Sequence, residues 1–220
     1  MVMRGILSLG FGIVLVACSS AGPTNQNPDP QKPKEPDPVP VYPTADYPQG
    51  TGTGFQVGQV AEDFTWEAFL PNAPQGQLAK VSMHDFFDPD GARGINALVI
   101  VTSAEWCPAC MTESQALEGK IKAKWGAMGV QVMELMIEDK TQNKSLPAVT
   151  TAAENWRTKY NFTDVAIGLD PTFHFKKSGT NGLPVNVIID PRTMTTVQRF
   201  DGASNSVDTQ IANLVAKNKL

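Results

Sequence analysis

The stretch Ile95-Asn96-Ala97-Leu98-Val99-Ile100-Val101-Thr102-Ser103-Ala104-Glu105-Trp106-Cys107-Pro108-Ala109-Cys110 reads as a strand feeding a helix that opens on two cysteines. The run Ala97 to Val101 is unbroken and apolar, the pattern of a strand buried on both faces with helices packed above and below. Strand is expected from Ile95 to Thr102. Pro108 suits the first helical position, where its missing N–H costs nothing, so Cys107 falls at the N-cap. Beyond it Cys110, Leu117, Ile121, Trp125 and Met128 lie close to one face of a helix that ends near Gly126 to Gly129. Cys110 is thereby placed on the buried stripe.

A cysteine attacks only as the thiolate, so a redox site needs something that lowers the thiol pKa from about 8.5. At a helix start the free amides of Ala109 and Cys110 and the positive end of the helix dipole face the Cys107 sulfur. The spacing lets the two sulfurs close a disulfide within one turn, so Cys110 can resolve a mixed disulfide formed at Cys107. A zinc half-site and an inert staple are the other readings. Zinc needs about two more ligands, and the globular part offers only His84 and His174. A staple closing so short a loop removes little unfolded-chain entropy.

Working outward, Asp63 to Leu70 and Leu78 to Phe86 are strand-like and joined by the turn-rich Pro71 to Gly76, an N-terminal β-hairpin. Val130 to Glu138 is a further strand, and Pro147 to Tyr160 a helix with Val149, Ala153, Trp156 and Tyr160 at helical spacing. Val185 to Asp190 and Thr196 to Phe200 are strands around the turn Asp190-Pro191-Arg192-Thr193. Val207, Ile211, Leu214 and Val215 mark a terminal helix. The fold class is α/β: a βαβ unit followed by ββα, a mixed sheet flanked by helices.

The chain has 220 residues, 41% of them hydrophobic, and a formal net charge of −4, enough for one core and without a basic face for nucleic acid. Arg4 followed by the apolar Gly5 to Ala17 reads as an export signal, too short to span a bilayer. Leu15-Val16-Ala17-Cys18 resembles the bacterial lipobox, which makes Cys18 the expected lipidation site and residues 1–17 the signal peptide. An ordinary cysteine in an uncleaved signal is the alternative. Several acyl chains would hold the protein stably on a membrane, each buried methylene adding roughly 0.8 kcal/mol. Nine of the 17 prolines lie between Pro23 and Pro48, so residues 18–54 are expected to be a disordered, semi-rigid tether and 55–220 the folded domain.

Three stretches together resemble the thioredoxin superfamily and, within it, the membrane-anchored TlpA-like thiol-disulfide reductases. They are Val57-Gly58-Gln59-Val60-Ala61-Glu62-Asp63-Phe64, Ala104 to Cys110, and Gly182-Leu183-Pro184-Val185-Asn186-Val187-Ile188-Ile189-Asp190. The resemblance spans roughly residues 56 to 218. It implies a thioredoxin-like fold and a cis Leu183-Pro184 bond that presents the backbone of Leu183 to a substrate peptide beside Cys107. It also implies a catalytic Cys107 and Cys110, with Glu113 matching the glutamate of a Cys-x-x-Cys-x-x-Glu pattern that exchanges protons with the thiols. A solvated first-turn glutamate is the other reading of Glu113. Trp106 and Pro108 would flank the substrate, a plain core tryptophan being the other reading of Trp106. The chain departs from the pattern twice: Gln115 replaces a proline, and Val101 stands where many thioredoxins carry a buried acid, leaving Glu105 or Glu113 to serve.

The function so implied is reduction of disulfides in exported proteins, the haem-binding cysteines of apocytochromes among them, by a periplasmic or outer-surface domain recharged by a membrane electron donor. Ser19 after Cys18 leans towards outer-membrane sorting. No cofactor beyond the Cys107–Cys110 disulfide and no metal is expected, and neither histidine is given a role. A disulfide-forming oxidant and a copper chaperone on the same fold are the alternatives. A peroxidase is disfavoured by the absence of a Thr-x-x-Cys arrangement.

Overall fold

A computed structural model describes residues 45–49, 53–140, 148–170, 172–177 and 182–219. The expected signal segment, Cys18, most of the tether and Pro147 lie outside the described residues. One seven-stranded sheet organises the domain, with strands β1 (Thr65–Phe69), β2 (Ala79–Ser82), β3 (Ala97–Ala104), β4 (Val130–Glu138), β5 (Ala166–Leu169), β6 (Val185–Asp190) and β7 (Thr195–Asp201) in the order β2-β1-β5-β4-β3-β6-β7. The helices are α1 (Pro108–Lys120), α2 (Thr150–Tyr160), α3 (His174–Lys177) and α4 (Val207–Asn218).

β3, β4 and β5 are parallel, and β6 and β7 add antiparallel on the other side of β3. The chain steps β3 to β4 to β5 in one direction, so right-handed crossovers put α1 and α2 on the same face. α4 joins them: Cys110, Leu117, Trp156, Ile211 and Leu214 share one core with Val99 and Val101. Helices on both faces were expected, but the three long ones cover one face only. The other core is built from Phe55, Phe64, Trp66, Met83 and Phe175 against Leu98, Ile100 and Leu135. Large aromatic side chains fill there the thickness a helix would occupy.

β4 and β6 have the bounds expected. β3 runs two residues further than Thr102, because a register shift at Ser103/Ala104 keeps it paired with β4. The hairpin is present, but its second strand stops at Ser82, where Asp85 Oδ2 accepts from the Ser82 N–H at 2.7 Å and starts a 3₁₀ turn over Met83–Phe86. β5 and α3 were not anticipated; β5 joins the hairpin to the sheet through β1. Gly168 in β5 is tightly enclosed: a Cβ there would lie 2.5 Å from Trp66 Cδ1 and 2.8 Å from Leu135 Cδ2. After Lys120 the helix continues through a wider π turn (Ile121–Trp125) and a 3₁₀ turn to Gly129 at φ 76°, the stop expected from the glycines.

Packing starts before residue 55. Tyr47 is buried, its hydroxyl donating to Ala61 O at 2.8 Å and its ring meeting His84 and Phe87 edge-on. An aromatic side chain among prolines supplies the apolar area that anchors this end of the expected tether.

Candidate active site

β3 ends in the sheet interior and delivers Glu105-Trp106 into a tight turn, closed by Cys107 N–H donating to Ala104 O at 3.0 Å. Cys107 is the N-cap of α1, in extended geometry, with Pro108 in the first turn. Its sulfur accepts from the Cys110 N–H at 3.1 Å and is bonded to the Cys110 sulfur, with the two Cα atoms 5.3 Å apart. The helix start thus offers the Cys107 sulfur the amide and dipole that favour a thiolate once the disulfide opens. Cys107 is 4% exposed and Cys110 fully buried, so in the disulfide form the two differ little in exposure.

The Leu183-Pro184 peptide is cis, as expected. Val185 pairs with Thr102 across the antiparallel β3–β6 ladder, so Pro184 stands at the end of β3 from which the cysteine turn departs. Leu183 is half-buried against both cores. Trp106 packs on the helical core and its Nε1 donates to Glu138 Oε2 at 2.8 Å. Glu138 is itself buried at the end of β4. Glu105, one candidate for proton transfer, instead accepts from Lys140 N–H at 2.9 Å and ties the cysteine turn to the end of β4.

Glu113 is half-buried, and Asn186 Nδ2 donates to its Oε2 at 3.1 Å. Burial raises its pKa, opposed by that hydrogen bond and by Lys120. Sequence reasoning passed over a second acid. Glu134, midway along β4, is fully buried; its Oε1 accepts from Ser114 Oγ at 2.6 Å and from Trp156 Nε1 at 2.8 Å. Its Oε2 has no hydrogen-bond partner among the described residues. Burial pushes this carboxyl up to about 7, with the nearby Glu113 adding to the rise and the hydrogen bonds opposing it. The available signal was a glutamate at an inward position of the alternation Val130, Val132, Glu134, Met136.

The histidines lie elsewhere. His84 meets Ala45 O at 2.9 Å, while His174 stacks on Phe64 and reaches Asp170 Oδ1 at 3.1 Å. His174, Trp66 and Asp170 line a cavity of about 390 Å³ that neither cysteine borders. Among the described residues no three His, Cys, Asp or Glu side chains are grouped to hold a metal, and no helix is long and apolar enough to cross a membrane.

No family model matches the chain, and no curated protein matches it in sequence. Solved structures do. A protein assigned as thiol:disulfide interchange protein DsbE from Chlorobium tepidum superposes with a TM-score of 0.51 at 22% identity, over 74% of this chain and 99% of that one. The reduced 2-Cys peroxiredoxin of Plasmodium vivax gives 0.54 at 16% identity, over 74% and 82%. AhpC of Mycobacterium tuberculosis gives 0.53 at 14%, over 74% and 93%. The sheet order, the helix that opens on Cys107 and these superpositions agree: the chain has a thioredoxin-like fold with a Cys-x-x-Cys pair at the start of its first long helix.

Proposed function

We propose that the protein is a thiol-disulfide oxidoreductase that reduces disulfides in exported proteins, with Cys107 as attacking and Cys110 as resolving cysteine. The observation that carries the reading is the disulfide at the N-cap of α1, with the Cys107 sulfur accepting from the Cys110 amide and Cys110 on the buried stripe. Trp106, Pro108 and Leu183-Pro184 border this corner and supply the surface for a substrate peptide, whose backbone would pair with that of Leu183. The peroxidase alternative lacks support at the residue level, since Ala104 occupies the position three before Cys107.

The lipobox-like Leu15 to Cys18 supports attachment to the bacterial envelope through a lipidated Cys18, with a membrane donor returning electrons to the pair. Apocytochrome haem-binding cysteines are substrates consistent with this placement. A Cys110→Ser variant expressed in cells should accumulate mixed disulfides with exported proteins through Cys107. Recovery of none, with Cys107 free and reduced, would contradict the reading. Labelled palmitate should enter the wild-type chain and not Cys18→Ala.

A further inference from the structure

The β1–β5 ladder ends at Ala68 and Gly168, yet β1 extends back to Thr65 beside β2, and β5 runs on to Leu169 beside β4. Asp170 stays with β4, its N–H donating to Met136 O at 3.0 Å. The sheet therefore forks, and the cavity of about 390 Å³ lies in the fork, with Thr65, Trp66 and Glu67 on one side and Leu169 and Asp170 on the other. Thr65 and Thr172 line it and are exposed, so it opens to solvent.

Its wall is aromatic: Trp66, Phe64 and His174 follow one another with ring centroids 4.7 and 4.2 Å apart. Asp170, also in the wall, is 1% exposed; His174 Nδ1 meets its Oδ1 at 3.1 Å, while its Oδ2 has no hydrogen-bond partner among the described residues. The other lining charges, Glu67 and Lys80, stand opposite each other in the β1–β2 register and offset one another. A buried carboxylate with an unmet oxygen, set beside aromatic faces, favours a cation.

The geometry points to a subsite for a positively charged side chain: the cavity receives the guanidinium or ammonium group of an arginine or lysine in the substrate peptide, with Asp170 as its acceptor and the Phe64 and Trp66 rings along its stem. This deepens the redox reading above and rests on it. The volume is near the lower end for ligand sites, roughly 300–1,000 Å³, and suits one long side chain. Two features favour a peptide over a free amine. Phe64 O accepts from Met83 N–H, so by the alternation of an antiparallel ladder the backbone groups of Thr65 point away from β2 towards the fork, an edge on which an extended peptide can pair. The cavity also lies at the carboxyl end of β5, which runs parallel to β4 and β3, and the cysteine turn departs from the carboxyl end of β3. Two strand spacings separate β5 from β3, roughly 10 Å, so the basic residue should stand about three or four positions from the reacting cysteine.

The test uses two symmetrical peptide disulfides that differ only in charge, with either arginine or its uncharged isostere citrulline four positions from the cysteine. Cleavage by the reduced full-length chain is followed by chromatography, and binding of the cysteine-free peptides by calorimetry. A Cys107→Ser/Cys110→Ser chain supplies the background from Cys18. The wild type should cleave the arginine peptide about tenfold faster than the citrulline peptide at low concentration, and Asp170→Asn should bring that ratio to about one. Thr65→Lys, at an exposed lining position, places a competing ammonium at the mouth and should collapse the ratio in the same way; it decides alone if Asp170→Asn does not fold. Equal rates in the wild type, or a preference that survives these substitutions, overturn the subsite. Free arginine amide binding as tightly as the arginine peptide overturns the assignment to the substrate. Arginine-dependent binding without Cys107-dependent cleavage of either peptide supports the charge preference of the cavity and overturns the redox reading instead.

Discussion

Asn186 donates from Nδ2 to Glu113 Oε2 at 3.1 Å, joining the strand that follows Pro184 to the helix that carries the cysteines. Asn186 is buried, and its Oδ1 has no hydrogen-bond partner among the described residues. The bond favours the Glu113 carboxylate against the burial that raises its pKa. Asn186→Ala should therefore raise the Glu113 pKa further and shift the pH dependence of disulfide exchange upward. Glu113→Gln should alter that profile while the near-ultraviolet circular dichroism stays native. Unchanged profiles in both variants would reduce Glu113 to a helix-dipole partner.

The two cysteines should differ in reactivity once reduced. Cys107, which accepts from the Cys110 amide at the helix start, should be alkylated first and with a pKa below a free thiol, while Cys110 stays protected on the buried stripe. Rates read against pH by mass spectrometry of Cys107→Ser and Cys110→Ser chains check this. Equal rates would remove the assignment of roles.

Two buried glutamates should pull stability in opposite directions with pH. Glu134 ionises near 4.5 when unfolded and near 7 when folded, so the native state binds the extra proton between these values. Stability falls as pH rises through that window, by about 3 kcal/mol in all at 1.36 kcal/mol per pKa unit. Glu118 behaves oppositely. Burial raises its pKa, but hydrogen bonds from Lys122, Thr163 and the Asp164 N–H outweigh that and hold it at about 2. Its contribution is present above 4.5 and is lost as pH falls towards 2. Urea midpoints measured from pH 3 to 8 should show Glu134→Gln flattening the upper decline and Glu118→Gln softening the acid loss.

Gly168→Ala tests the close approach of β5 to Trp66. The added methyl meets Trp66 and Leu135 well inside contact distance, and a cost of about 1–3 kcal/mol is expected from thermal or urea unfolding. A neutral effect would show that the Trp66 ring moves freely.

The sequence was most legible where local chemistry and periodicity agreed. Pro108 after Cys107 announced a helix start, and the apolar runs at Ala97 and Val185 announced central strands; the structure has both. β5 went unread because four residues, Ala166–Leu169, give too short a run to separate from a loop, and its strand identity comes from pairing with β4 and β1. Glu134 was passed over for a related reason. Its meaning lies in Ser114 and Trp156, 20 and 22 residues away in sequence and brought together only by the crossovers. The resemblance placed an acid at position 101 and found valine, whereas the fold puts one on the neighbouring strand in the same row.

The most direct measurement is the reduction potential of the Cys107–Cys110 pair, from equilibrium with dithiothreitol or glutathione followed by thiol trapping. About 30 mV corresponds to 1.4 kcal/mol for this two-electron couple, so the span from roughly −270 mV for thioredoxin to about −120 mV for a strong oxidase is about five orders of magnitude in equilibrium constant. A reductase should titrate on the reducing half of that span, with both cysteines changing together. A midpoint near the oxidase end would contradict the reductase direction, and one below about −300 mV, where inert structural disulfides lie, would contradict a working redox couple.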